Sequence, residues 1–213
     1  MQGKLSIVAT PIGNLEDITL RALGVLKEAD VVACEDTRVT KKLLSHFDIH
    51  TPTATHPRVL SLLEQGKHVA LVSDAGTPGV SDPGLEIVSH ARDMGATVET
   101  IPGPSALAAA VAIAGLRAPT FTFYGFLPTK KGREKLFKEI AASDRASVFY
   151  ESPHRIGKAL AVLESLCPER RIGIYRELTK MFEEAIVGTP AEVREALTNE
   201  KERGEFVVIV EAQ

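Results

Sequence analysis

Short apolar runs alternate with amphipathic segments along the chain, a pattern typical of a parallel α/β sheet covered by helices. In the first half, the pattern predicts strands at residues 5–9, 31–34, 68–73 and 97–101. It predicts helices at residues 18–28, 40–47, 58–64, 85–94 and 105–114. Asp17 is the expected cap of the first helix, and residues 50–57 are expected to form a loop.

A break at residues 115–119 separates this series from a second one. The second series predicts strands at 121–126, 147–150, 172–175, 184–187 and 206–210, and helices at 133–142, 156–166 and 191–197. Its last strands follow one another closely, which favours antiparallel pairing and a mixed sheet. The sequence therefore predicts an α/β fold with two domains, residues 1–116 with a mostly parallel sheet and residues 117–213 with a mixed one.

Three of the predicted strands end in small, turn-forming residues. The strand at 68–73 runs into a glycine–proline segment, residues 73–84, in which Gly76, Gly79 and Gly84 allow positive φ angles and Pro78 and Pro83 restrict their neighbours. The strands at 5–9 and 97–101 run into residues 10–14 and 102–105 in the same way. Three such endings suggest one shared ligand pocket at a sheet edge.

The best-known loop motifs do not fit these segments. A phosphate-binding P-loop needs Lys followed by Ser or Thr, which none of the three loops contains. The spacing from Gly76 to Gly79 differs from the G-x-G-x-x-G pattern of dinucleotide-binding proteins. Ser105 lacks the following glycine of a hydrolase nucleophile elbow, and a helix cap is the simpler interpretation.

Composition narrows the class of protein. The chain has 213 residues, 44% of them hydrophobic, and no apolar run long enough for a membrane span, so we expect a cytoplasmic globular protein. Cys34 and Cys167 are far apart and lack metal-ligand spacing, so no metal site is predicted. The net charge of −3 argues against broad affinity for nucleic acid but leaves room for a local basic surface.

Three further motifs accompany the loops: residues 35–38 (EDTR), 150–155 (YESPHR) and 176–180 (RELTK). With them, nearly the whole chain resembles the tetrapyrrole methylase superfamily. Within it, residues 73–84 together with 150–155 resemble the subgroup that methylates a cytidine ribose 2'-oxygen in 16S rRNA. Residues 102–106 alone would indicate only the wider superfamily.

The resemblance implies two α/β domains with S-adenosylmethionine (SAM) in the cleft between them, and a homodimer. It implies a cofactor site formed by loop residues of the first domain and a few residues of the second. These are Pro11, Asp74, Ala75, Gly76, Thr77, Pro78, Pro102, Gly103, Ser105, Ala106, Tyr150, Glu151 and Leu178. Compared with the family pattern, the segment at residues 51–58 is short, and the chain stops soon after residue 210. We therefore expect a missing loop and a missing C-terminal extension, both of which would affect the positioning of RNA.

Catalytic candidates lie at predicted strand ends, where side chains point towards a cleft. Glu35, Asp36 or His154 could accept the hydroxyl proton or orient the ribose, with Arg38 beside them. The alternative for Glu35 and Asp36 is helix capping or pairing with Arg38, and His154 could simply bind a loop or a phosphate.

Basic residues near these motifs are candidate contacts to RNA phosphates, although such charges are usually a solvated helix face or ion-pair partners. They are Lys41, Lys42, Lys130, Lys131, Arg133, Arg155 and Lys180.

The leading hypothesis is SAM-dependent 2'-O-methylation of a cytidine in 16S rRNA, with the small ribosomal subunit as substrate. Two alternatives remain open: a tetrapyrrole carbon methyltransferase, and a noncatalytic SAM-responsive protein that binds the ribosome.

Overall fold

The protein is represented by a computed structural model that describes residues 3–81, 84–117, 119–197 and 204–213. Asp82 and Pro83 of the glycine–proline segment and Ala118 of the predicted interdomain break lie outside the described residues. The chain divides into two compact units, Met1–Ser105 and Ala106–Gln213. This division lies one helix earlier than the boundary expected at residues 116 and 117.

The first unit is a parallel α/β sheet. In chain order its elements are β1 (Lys4–Val8), α1 (Leu20–Glu28), β2 (Val31–Cys34), α2 (Thr37–His46), β3 (Thr53–Thr55), α3 (Val59–Glu64), β4 (His68–Leu71), α4 (Gly84–Asp93) and β5 (Thr97–Ile101). The strands lie in the order β3-β2-β4-β1-β5, and every pair is parallel. The predicted parallel sheet is confirmed.

Helices bury both faces of this sheet. On one face, Val8 and Val32 pack with Leu26 of α1. On the other, Leu5 and Leu71 pack in a separate cluster with residues of α3 and α4. Because both faces are covered, the strands are nearly continuous apolar runs, as is usual for parallel sheets.

Three local predictions in this unit were wrong. Asp17 ends a short 3-10 helix, Leu15–Asp17, and Thr19 caps α1 instead because its hydroxyl accepts the N–H of Ala22 at 3.0 Å. Helix α2 starts at Thr37, three residues earlier than expected, because Asp36 caps it. The expected loop at residues 50–57 contains β3, an edge strand too short to produce an alternating pattern.

The second unit contains a mixed sheet. In chain order its elements are α5 (Ala106–Ala114), β6 (Phe121–Phe126), α6 (Arg133–Ala142), β7 (Ala146–Glu151), α7 (Pro153–Leu166), β8 (Ile172–Arg176), β9 (Glu184–Gly188), α8 (Pro190–Ala196) and β10 (Phe206–Val210). The strand order is β6-β7-β10-β8-β9. β6 and β7 are parallel, whereas β10 is antiparallel to β7 and β8, and β9 is antiparallel to β8. The predicted mixed sheet is confirmed, and the carboxyl ends of β6, β7 and β8 lie at one edge.

Within the described part of the chain, no helix combines the length and apolar character needed to cross a membrane. Both cysteines are free, Cys34 buried and Cys167 half-buried. Burial raises the pKa of both thiols, so neither is an activated nucleophile.

Candidate functional site

Backbone hydrogen bonds join the segments that follow β1 and β4 in the first unit. The N–H of Thr10 donates to the carbonyl of Gly76 at 2.8 Å, and the N–H of Gly76 donates to the carbonyl of Thr10 at 3.0 Å. The buried hydroxyl of Thr10 also donates to the carbonyl of Ser73 at 3.3 Å. Thr10 was not among the predicted site residues, although its place directly after a strand could have indicated it.

The third loop is tied to the same edge through a side chain. The hydroxyl of Thr77 donates to the carbonyl of Pro104 at 3.1 Å. Gly76 has a φ of +80°, and a Cβ added there would lie 3.4 Å from Cγ2 of Ile12, so this turn requires glycine. The three loops predicted from the sequence therefore meet at one edge of the first sheet.

The predicted cofactor residues of this unit differ in exposure. Asp74, Ala75, Pro102 and Gly103 are exposed. Pro11, Thr77 and Ser105 are half-buried, whereas Gly76 and Pro78 are buried and shape the loop. Ala106 is the first residue of α5 and belongs to the second unit.

The predicted catalytic residues of the first unit lie beside this edge, because β2 neighbours β4. The backbone N–H of Asp36 donates to Oδ1 of Asp74 at 3.2 Å. The carboxylate of Asp36 accepts the N–H of Arg38 at 2.8 Å and Nη2 of the same residue at 2.7 Å. The side-chain hydrogen bond from Arg38 is the main cause that lowers the pKa of Asp36 to about 2.

The cap hydrogen bond of Asp36 and its low pKa both favour one of the two interpretations of this residue. A carboxylate with a pKa near 2 is a weak proton acceptor at neutral pH, so capping and positioning explain Asp36 better than general base catalysis. Glu35 is exposed at the end of β2, and His154 is exposed in the first turn of α7. They are the two remaining candidates for a proton acceptor.

In the second unit, a buried carboxylate binds two arginines. Glu151 is fully buried, and its Oε2 accepts Nη2 of Arg133 at 2.5 Å. Its Oε1 lies 2.8 Å from Nε of Arg155 and accepts the backbone N–H of Ser152 at 2.9 Å. We call these three charged residues, Arg133, Glu151 and Arg155, the Glu151 cluster.

The Glu151 cluster also fixes the segment that follows β6. Arg133 donates to the carbonyl of Pro128, and Arg155 donates to the carbonyl of Leu127, both at 3.2 Å. The guanidinium groups are thus largely occupied, and the side chains are only 17% and 24% exposed. The structure places these two predicted RNA contacts in a buried network with Glu151, itself a predicted cofactor contact.

Tyr150 connects β7 to the first turn of α5. Its hydroxyl accepts the N–H of Leu107 at 3.2 Å, and its ring makes edge contacts with Phe123 and Phe126 at centroid distances of 5.0 and 5.3 Å. The remaining predicted cofactor residue, Leu178, is buried two residues after β8.

The predicted RNA-binding lysines are all exposed. Lys41 and Lys42 lie on α2, and Lys130 and Lys131 lie in the segment before α6. Lys180 pairs with Oε1 of Glu177 at 2.9 Å. The first four offer positive charge to a polyanion without breaking any buried contact.

The first unit's loops fit the methyl donor that the resemblance implies. SAM requires polar groups for its ribose, adenine and amino-acid ends, and an anion is favourable near its positive charges. A Cβ at Gly103 would lie 3.1 Å from Cβ of Ala9, so this exposed position presents backbone to a ligand. Asp74 adds an exposed carboxylate, whose Oδ1 also accepts the backbone N–H of Asp36. The donor set is therefore suitable for SAM.

Comparisons with known proteins find similarity over nearly the whole chain. Residues 4–194 match the family described as Tetrapyrrole (Corrin/Porphyrin) Methylases. A relative from Coprothermobacter proteolyticus, named Ribosomal RNA small subunit methyltransferase I, is 45% identical over 96% of this chain and 95% of its own. A protein of the same name from Thermotoga maritima is 42% identical over 98% of both chains. The solved structure of the methyltransferase CobJ is similar with a TM-score of 0.71 and 22% identity, covering 99% of this chain and 94% of its own, which shows a shared fold.

Proposed function

The chain belongs to the tetrapyrrole (corrin/porphyrin) methylase family, and on that premise we propose that it transfers a methyl group from SAM to the ribose 2'-oxygen of a cytidine in 16S rRNA. The observation that carries the proposal is the 42–45% identity, over nearly full length, to relatives named as small-subunit rRNA methyltransferases. We further propose that the substrate is the small ribosomal subunit and that the enzyme acts in the cytoplasm as a homodimer.

In this proposal the loops of the first unit hold SAM, which supplies a methyl group activated by the adjoining sulfonium. Exposed backbone at Gly103 and the carboxylate of Asp74 bind its polar and charged ends, while the hydrogen bonds of Thr10 and Thr77 keep the loops in place. Leu178 and the ring of Tyr150 contribute apolar surface from the second unit.

The acceptor hydroxyl must be aligned and must lose its proton during the transfer. Glu35 or His154 accepts that proton, and Asp36 with Arg38 holds the start of α2 beside Asp74. Lys41, Lys42, Lys130 and Lys131 contact RNA phosphates. Arg133 and Arg155 act on RNA indirectly by holding the segment before α6.

The test incubates the protein and labelled SAM with small subunits from a strain that lacks the modification. We expect label in 16S rRNA, and mapping of the product should find one cytidine 2'-O-methyl group. Label on a base, or none despite SAM binding, would contradict the proposed acceptor.

A matched pair of variants tests the donor loop. Asp74→Asn should weaken SAM binding roughly 10- to 100-fold, because a hydrogen bond to a charged group is lost. Asp93→Asn, an exposed residue at the end of α4, is the control and should leave the calorimetric affinity unchanged. Equal affinities for both variants would reject the assignment of Asp74.

A further inference from the structure

Arg176 ends β8 and is buried with hydrogen-bond donors that the described residues leave without an acceptor. The residue is 8% exposed, and its Nε and Nη1 atoms find no hydrogen-bond partner in the part of the chain that the structure describes. Burying such donors without an acceptor is unfavourable, because buried polar groups are normally hydrogen-bonded. The nearest carboxylate oxygen, Oε2 of Glu184, is 3.4 Å from Nε, close enough for an ion pair but without a hydrogen bond.

The turn that follows Arg176 has a second buried group of this kind. The hydroxyl of Thr179 is buried and has no hydrogen-bond partner among the described residues. Thr179 also has a φ of +66°, and Glu177 has a φ of +50°. Left-handed backbone is unfavourable for any residue with a side chain, and most of all for a β-branched one such as Thr179, so this turn is strained.

One row across the second sheet carries several charged side chains. The strand register places Glu151, Phe206, Arg176 and Glu184 opposite one another across β7, β10, β8 and β9. Together with the arginines of the Glu151 cluster, this row contains three guanidinium groups and two carboxylates. Next to this row, Glu177 is bound to Lys180, and Oε2 of Glu183 accepts the backbone N–H of Thr179 at 2.6 Å. Since buried polar groups are normally hydrogen-bonded, the two donors of Arg176 that lack a partner among the described residues leave room for one oxyanion.

We infer that Arg176 and Thr179 form a binding position for an oxyanion, namely a carboxylate or phosphate oxygen, in which Glu184 is the internal competitor. Glu184 is 30% exposed at its side chain and Arg176 only 9%, so solvent reaches the pair from the side of Glu184. An incoming oxyanion takes the place of this carboxylate and accepts the unpaired donors. The identity of the oxyanion rests on the proposed function, which offers two: the carboxylate of the methyl donor and a phosphate of the RNA.

The first experiment measures calorimetric affinities for S-adenosylhomocysteine and for its decarboxylated analogue. If the site binds the donor's carboxylate, Arg176→Gln should weaken S-adenosylhomocysteine roughly 10- to 100-fold and leave the analogue nearly unchanged. Glu184→Gln should tighten S-adenosylhomocysteine, because the competitor is removed. Tighter binding cannot result from misfolding, so this variant keeps the test decisive even where Arg176→Gln folds poorly.

The second experiment measures binding of small ribosomal subunits as a function of salt. If the site binds an RNA phosphate, Arg176→Gln should reduce the slope of log affinity against log salt by about 0.7 to 1 and leave S-adenosylhomocysteine binding unchanged. Thr179→Val, which keeps the shape but removes the hydroxyl, should change the same affinity as Arg176→Gln, by a smaller factor. Arg145→Gln, an exposed charge of the same unit, is the control.

The inference is overturned if neither affinity changes in Arg176→Gln and Glu184→Gln. Failure of the proposed function gives a different result: the protein without any substitution then neither binds S-adenosylhomocysteine nor methylates the subunit.

Discussion

The two units form their candidate site edges by opposite physical means. In the first unit the edge is held by backbone groups and hydroxyls, through the Thr10–Gly76 bridge and the bond from Thr77 to Pro104. In the second unit the edge is held by charged side chains, of which Glu151 is the centre. The first edge therefore depends on backbone angles, and the second depends on keeping buried charges paired.

The largest expected effect comes from breaking the charged edge. Glu151→Ala leaves two guanidinium groups partly buried without their carboxylate, and we expect the free energy of unfolding to fall by about 3–5 kcal/mol. Urea denaturation monitored by circular dichroism measures the loss.

The control for that prediction is Glu134→Ala, which removes an exposed ion pair with Lys138 in α6. Because this pair is exposed to solvent, its loss should leave the free energy of unfolding nearly unchanged. Similar losses in the two variants would show that the Glu151 cluster adds nothing beyond an ordinary surface pair.

The backbone edge should respond to a glycine substitution. Gly76→Ala forces an L-residue to a φ of +80° and should cost about 1–2 kcal/mol of stability, with weaker SAM binding. Gly115→Ala is the matched control, because Gly115 has a φ of +63° and open space around an added Cβ. We expect it to lose comparable stability but to keep its SAM affinity, as calorimetry can establish. If Gly115→Ala weakens SAM binding equally, the effect of Gly76→Ala is not specific to the loop.

The sequence predicted the sheets better than the contacts at their edges. The bounds of β5, β6, α6 and β10 agree with the predictions because their patterns are local and strong. Arg133 lies 18 residues from Glu151, and Thr77 lies 27 residues from Pro104. Residues so far apart form no local sequence pattern, so neither hydrogen bond could be predicted. Glu151 and Arg155 are only four residues apart, so their ion pair could be predicted from the sequence, but only as one of several possible pairings.

Replacing a glycine that lies away from both edges should raise stability, whereas Gly76→Ala lowers it. Gly24 lies in the middle of α1, and a Cβ added there meets no atom within 4 Å. Gly24→Ala should therefore raise the free energy of unfolding by about 0.5–1 kcal/mol, because alanine restricts the unfolded chain and favours the helix. A loss of stability in urea titrations would mean that α1 packs more tightly than its surroundings indicate.

The smallest effect concerns a cluster across β1, β4 and β5 of the first sheet, where Ser6, His68 and Glu99 are linked. The hydroxyl of Ser6 donates to Oε1 of Glu99 at 2.7 Å and lies 2.8 Å from Nε2 of His68. Burial is the main cause that lowers the pKa of His68 below its usual value of 6.5. The folded state therefore favours the neutral ring, so its contribution to stability is present above pH 6.5 and is lost as pH falls through the lowered pKa.

His68→Gln should flatten the dependence of unfolding free energy on pH just below 6.5, measured by urea titrations at closely spaced pH values. Hydrogen bonds from Lys4 and Ser6 lower the pKa of Glu99 below 4.5, so its contribution is lost only in more acid solution. His50→Gln, which alters an exposed histidine, serves as the control. An unchanged slope in His68→Gln would show that this ring titrates as it does in the unfolded chain.

The three-residue strand β3 has a practical consequence for labelling the protein. It is the last strand in the order of the first sheet, and it pairs with β2. The exposed residue His50 precedes it, outside the ladder. Loops of this kind accept inserted sequence with little effect on the strands they join. A short peptide tag inserted at His50 therefore gives a fluorescent or affinity handle that leaves the pairing of β1, β2, β4 and β5 intact.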